Sequence, residues 1–202
     1  MTVRDAYQAA VDFFVSAVDQ VWDRDWDSAA LGVWTVRDLV GHTCRSLTII
    51  EGYAAQPGNQ VDIEGPVEYF QKALDGAAIH DSIAHRGKEA GLSLGNDPKA
   101  TVRDAAKAVT TFLEGLADDA VLGLPLGGIR LAGYLPTRTF ELTIHTLDLV
   151  EAIDLEISPP VQAMSGTLQI LVELASSRGH GPAAALALTG RKSLPAGFSV
   201  LG

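Results

Sequence analysis

The chain has 202 residues, 25 of them acidic and 15 basic, for a formal charge of −10. This length leads us to expect a single main domain, and 47% hydrophobic with 20% charged residues excludes an intrinsically disordered chain. The acidity argues against a nucleic-acid partner, whose phosphates require clustered Lys and Arg. The lone cysteine, Cys44, excludes an intrachain disulfide framework and a cysteine-rich zinc site.

Helical periodicity dominates from the start. Over residues 2–23, Ala6, Ala9, Ala10, Phe13, Phe14, Ala17 and Val21 recur at steps of three and four, so a first amphipathic helix is expected. Arg4 and Asp5 interrupt the opening stretch, so no secretory signal is expected there. No window approaches the roughly 20 apolar residues that span a bilayer, and a cytoplasmic location is the expectation. Residues 23–33 break the stripe. Thr35 then opens a second helix, with Asp38 three residues on to complete a capping box, running to about Ala54. A third helix is expected from about Pro66 to Gly91, with Pro66 in its first turn. The Thr-Val-Arg-Asp signal recurs at Thr101, where a fourth helix is expected to open and run to about Asp118.

Glycine and proline crowd residues 121–133, which read as a loop with at most a short extended piece. A fifth helix is expected from about Leu135 to Ile153 with Pro136 in its first turn, a sixth from about Pro160 to Ser177, and a last turn over Pro182–Leu188. No segment alternates convincingly enough for a strand. The expected fold is all-α, a four-helix bundle with short extra helices and a C-terminal tail. Residues 1–155 would form the bundle, with a helix and tail over 156–202 packed on it.

The fifth helix carries the most chemistry. At 100° per residue, Glu141, His145 and Asp148 share one narrow face, with Thr137 and Arg138 at its margins. Phe140, Leu142, Ile144, Leu147, Leu149 and Val150 flank it, so the polar stripe is expected to face the bundle interior. Two donors at i and i+4 can grip one metal ion, and His42, among Leu39, Val40, Leu47 and Ile50, is the candidate third ligand. A His-Glu-His set suits zinc with one position open. The same residues also read as a metal-free buried polar pair: about one residue in eight is acidic, so a Glu four before a His recurs by chance. Asp81 and His85 repeat the spacing and read as a solvated face. Arg138, on residue grounds alone, reads as a helix salt bridge.

Other features read as structural. Ser165 before Gly166 lacks the setting of a nucleophile elbow, and Gly127-Gly128 is neither a P-loop nor a dinucleotide fingerprint. Cys44 reads as a small core residue. Trp22, Trp26 and Trp34 read as packing residues, Trp34 with a pocket-shaping role as the alternative. His80 and His180 read as exposed.

The stretch Trp34-Thr-Val-Arg-Asp-Leu-Val-Gly-His42, followed by Arg138-x-x-Glu141-x-x-Ile-His145-x-x-Asp148-Leu149, resembles the mycothiol-dependent maleylpyruvate isomerase family of the DinB/YfiT-like metal-binding superfamily. The resemblance covers roughly residues 5–155. It implies a four-helix bundle holding a divalent metal, usually zinc, through His42, Glu141 and His145. It further implies mycothiol as a thiol cosubstrate whose sulfur takes the open metal position, for S-transfer to, or cis–trans isomerisation of, a small electrophile. In that setting Asp148 would orient a ligand, and Arg138 would pair with a carboxylate on the thiol or substrate. The chain departs from the isomerase after Ile153, where a helix and short tail stand in place of a C-terminal α/β domain, so an S-transferase is expected at least as readily as an isomerase. A non-catalytic metal-binding sensor or partner module is the alternative, and a homodimer through exposed helices is compatible with the pattern.

Overall fold

The computed structural model describes residues 2–74 and 79–201, with backbone alone for 79–84. Capping fixes where the helices begin. Thr2 and Asp5 form a reciprocal box at the start of α1 (Val3–Asp19). A 3₁₀ turn, Asp23–Asp25, and a hairpin of β1 (Ala29–Leu31) and β2 (Trp34–Thr35) follow. Thr35 and Asp38 then repeat the box for α2 (Val36–Ala54). Each box satisfies two of the N–H groups that a helix start leaves without a partner.

Where a single helix is expected over 66–91, the described residues form two. α3 (Pro66–Leu74) packs against the helices that follow later in the chain, whereas α4 (Ile79–Ser93) lies along α2. The backbones of α2 and α4 come so close that a Cβ at Gly41 would collide with the Ala90–Gly91 peptide; a Cβ at Gly87 of α4 would collide with the indole of Trp34 in β2.

The second Thr-Val-Arg-Asp does not open a helix. α5 (Pro98–Glu114) starts three residues earlier, because the Asp97 carboxylate accepts from Ala100 N and Pro98 tolerates the first turn, where no N–H is needed. Thr101 lies inside the helix and donates its hydroxyl back to the Leu94 and Asp97 carbonyls.

The glycine-rich segment is also a hairpin, β3 (Val121–Leu124) with β4 (Gly127–Arg130), antiparallel and in register from Val121↔Arg130 to Leu124↔Gly127. Alternation over four residues is too short to register in the sequence, yet Leu122 and Ile129 are fully buried. The hairpin moves the next helix start forward. α6 (Leu131–Ala152) opens four residues before the expected point, since the Ala120 and Asp118 carbonyls accept from Leu131 N and Ala132 N. Pro136 therefore sits inside α6. α7 (Val161–Ser177) and α8 (Gly181–Leu188) complete the chain.

α1, α6, α2 and α5 form a ring in which each helix packs on two others. Tyr7, Phe14, Leu39, Leu47, Ile50 and Leu142 fill it, each essentially inaccessible to solvent. α7 covers an outer face of α1 and α6, where Phe70, Phe140, Ile170 and Leu174 make a second apolar cluster. The all-α expectation holds, with two small hairpins added. Among the described residues no helix is long and apolar enough to cross a membrane. Trp26 and Trp34 are buried as expected, but Trp22 is 69% exposed and packs little.

Candidate metal centre

The polar stripe of α6 faces the N-terminal half of α2. Helical spacing sets Glu141, His145 and Asp148 one above another, and the α2–α6 contact brings His42 to them from the other side. Donor atoms of His42, Glu141 and His145 all lie within 4.8 Å of one another. His145 Nε2 is 3.3 Å from Glu141 Oε2, and its Nδ1 is 3.0 Å from Asp148 Oδ2. The three side chains of the α6 stripe retain 18–30% of their accessible surface, so the cluster opens to solvent at one edge.

Trp34 stacks on His42 with ring centroids 4.5 Å apart, and the two imidazoles meet edge to face at 4.9 Å. The Thr35 cap fixes where α2 begins, so Trp34 and His42 hold a set relation across its first two turns. The missing side chain at Gly87 makes the room that the indole occupies.

Electrostatics divide the two histidines. Burial, reinforced by the charge of His145, pushes His42 down to about 4, so its imidazole is neutral. Burial also acts against a charged His145, yet hydrogen bonds to Asp148 and Glu141 prevail and raise it to about 9. Glu141 is held down near 2: burial pushes it up, but the hydrogen bond to His145 and the charge of Arg138 outweigh that. Without a cation, then, a proton on His145 is what two carboxylates hold between them.

The residues fit a divalent cation. Nδ1 of His42 is buried and has no hydrogen-bond partner among the described residues, leaving a neutral imidazole with a free ring nitrogen. Bonds of about 2.0–2.2 Å to one tetrahedral ion place donors roughly 3.3–3.5 Å apart, and the Glu141–His145 pair already meets that at 3.3 Å. Asp148, 3.0 Å from Nδ1 of His145, is placed as a carboxylate that would orient this imidazole as a ligand. Neutral imidazoles with one carboxylate suit zinc, with a position left for a further ligand.

Arg138 forms no helix salt bridge among the described residues. It is buried, 8% exposed, and its guanidinium donates from Nε to Thr137 Oγ1 and from Nη2 to the Tyr69 hydroxyl, both at 3.1 Å. Burial opposes its charge, but the tyrosines and Glu141 around it keep it firmly protonated. Tyr134, four residues earlier on α6, lies 4.9 Å from the guanidinium carbon, a neighbour that the i, i+4 spacing could have indicated. Tyr69, on α3, carries no sequence signal for this position.

The remaining candidates fall outside the site. Cys44 is buried, and burial pushes its thiol up to about 11, as suits a core residue. His85 is exposed and pairs with Glu89, and His180 is exposed, with its ring edge on Phe198. The side chains of His80 and Asp81 lie outside the described residues.

The family model for the mycothiol maleylpyruvate isomerase N-terminal domain matches residues 5–150. No curated protein and no solved structure matches the chain. The matched stretch spans nearly all of the helical ring and includes His42, Glu141, His145 and Asp148, and the chain belongs to this family.

Proposed function

We propose that this member of the mycothiol maleylpyruvate isomerase N-terminal domain family holds a zinc ion through His42, Glu141 and His145. We further propose that it presents a low-molecular-weight thiol, mycothiol, to a small electrophile in the cytoplasm. The observation that carries the reading is the convergence of three donor atoms from two helices within 4.8 Å, beside a buried imidazole nitrogen with no other partner among the described residues. A divalent cation bound there would supply Lewis acidity, lowering the pKa of a thiol set against it.

The chain's own residues do the rest. Asp148 fixes the His145 ring and keeps its Nδ1 side protonated, so that Nε2 faces the cluster. Trp34 packs its ring against His42, with centroids 4.5 Å apart, and so braces that imidazole. Arg138 supplies positive charge one turn from Glu141 on the same helix face. In S-transfer, sulfur forms a bond to the electrophilic carbon while the displaced group departs with its electron pair and takes up the thiol proton. In isomerisation, sulfur adds to an activated double bond, the resulting single bond rotates, and sulfur leaves again with its electrons.

A thermal-shift titration of chelator-treated and zinc-loaded protein against mycothiol, bacillithiol, glutathione and cysteine tests the reading. Mycothiol is expected to raise the melting temperature of the zinc-loaded protein alone. Zinc uptake with a flat response to all four thiols would instead favour a non-catalytic sensor or partner module. Equal zinc content in wild type and His145→Ala would end the metal assignment itself.

A further inference from the structure

A buried arginine normally faces a carboxylate, because an isolated charge in a poorly solvated interior is unfavourable. Arg138 has none: it forms no ion pair with any carboxylate among the described residues, although only 8% of it is exposed. Glu141, one turn on, is the obvious partner, but its carboxylate is engaged by His145 at 3.3 Å. What surrounds the guanidinium is aromatic. The rings of Tyr69 and Tyr134 stand 5.4 and 4.9 Å from its central carbon, and Tyr53 packs against Tyr134 at 5.9 Å. These faces moderate the charge without occupying its hydrogen-bond fork.

A guanidinium has five N–H donors, and among the described residues only the Thr137 and Tyr69 oxygens accept from this one. Nη1 donates to neither, so one edge of the fork has no acceptor among the described residues. The Tyr69 oxygen accepts from Arg138, which leaves its own O–H to donate elsewhere, and burial keeps that phenol protonated. The pair thus presents several donors with no carboxylate bonded to them among the described residues, and a guanidinium fork recognises a planar oxyanion through two parallel bonds.

We propose that Arg138 and Tyr69 form a carboxylate-binding subsite beside the His42–Glu141–His145 cluster, braced by the ring of Tyr134. The subsite rests on the preceding reading only in that the carboxylate belongs to a molecule reacting at that cluster; its affinity for an anion does not require a metal. Tyr69 is then a binding residue contributed by α3, which spacing along α6 could not have nominated.

Thermal shift with succinate and acetate, against chloride at matched ionic strength, tests this on chelator-treated and zinc-loaded wild type, Arg138→Met and Tyr69→Phe. Both carboxylates are expected to raise the wild-type melting temperature with or without zinc. Arg138→Met should abolish that response while leaving zinc content intact. Tyr69→Phe, which loses one hydrogen bond, should weaken succinate binding about fivefold. A wild-type response no larger than that to chloride, or one that persists undiminished in Arg138→Met, would overturn the subsite. If Arg138→Met does not fold, an unaltered response in Tyr69→Phe would do so. Loss of zinc binding with the carboxylate response retained would count against the metal reading and leave the subsite standing. On zinc-loaded protein, cysteine against cysteamine separates the two sources of the anion. An Arg138-dependent advantage for cysteine assigns the carboxylate to the thiol and so contradicts mycothiol, whose cysteine carboxyl is tied up in an amide, as the cosubstrate. Equal thiols, with succinate still adding to the effect of cysteamine, assign it to the electrophile.

Discussion

An imidazole that binds a cation through one nitrogen is only as well placed as its other nitrogen is held. In the proposed site that task falls, for His145, to Asp148, at 3.0 Å from Nδ1. Asp148→Asn keeps the shape and removes the charge, so zinc affinity should fall about 10- to 100-fold, measured by competition with a chromogenic chelator. The two histidines also give the metal-free protein a peaked dependence on pH. His145 is raised from 6.5 to about 9, so its contribution is complete below pH 6.5 and is lost as pH rises through 9. His42 is lowered from 6.5 to about 4, so the unfolded chain takes up the proton first and stability falls as pH drops from 6.5 towards 4. Melting temperatures of chelator-treated protein should therefore be highest near pH 6.5. If zinc binds as proposed, it replaces the proton held by Glu141, His145 and Asp148, so loading should flatten the alkaline limb; an alkaline limb equally steep with zinc would contradict that exchange.

At the scale of elements, what places His42 is the seating of α2 between α6 and α4. The α4 contact depends on two glycines that no side chain can replace in the present packing. A methyl group at Gly41 would meet the Ala90–Gly91 backbone, which cannot rotate aside as a side chain could. Gly41→Ala should cost about 1–3 kcal/mol and reduce zinc affinity by moving α2. Gly52 lies on the exposed face of the same helix, and a methyl group there would have nothing within 4 Å to meet. Gly52→Ala should stabilise by about 0.5–1 kcal/mol through backbone entropy and helix propensity. Urea titration of the two variants, which differ from wild type by one methyl group each on one helix, checks both signs.

For the molecule as a whole, the stretch beyond the family match is built into the packing. Ile170 and Leu174 of α7 cover Phe70 and Phe140, while the donor atoms of the cluster all belong to residues 42–145. Ending the chain at residue 159 should therefore separate stability from the site. Uncovering two large apolar contacts, each worth about 1.5–3 kcal/mol, should lower the melting temperature by about 10 °C or more for a chain of this size. Zinc stoichiometry measured well below that temperature should be unchanged. A truncated protein as stable as the full chain would show that α7 merely rests on the bundle.

The features legible along the chain are those whose partners are close in sequence. Thr35 and Asp38 cap α2 through bonds spanning three residues, and Glu141, His145 and Asp148 share a face because a helix repeats every 3.6 residues. Where two local signals compete, the sequence misleads: Asp97 with Pro98 displaces Thr101 as the start of α5, and hairpins of two to four residues per strand are too short to show alternation. The meeting of His42 with α6, the placing of Tyr69 on Arg138 and the lack of an ion-pair partner for that guanidinium among the described residues were decided by tertiary structure. Those outcomes depend on which face α2 and α3 turn towards α6, and that is set by apolar packing summed over the whole core, a quantity no local window of sequence contains.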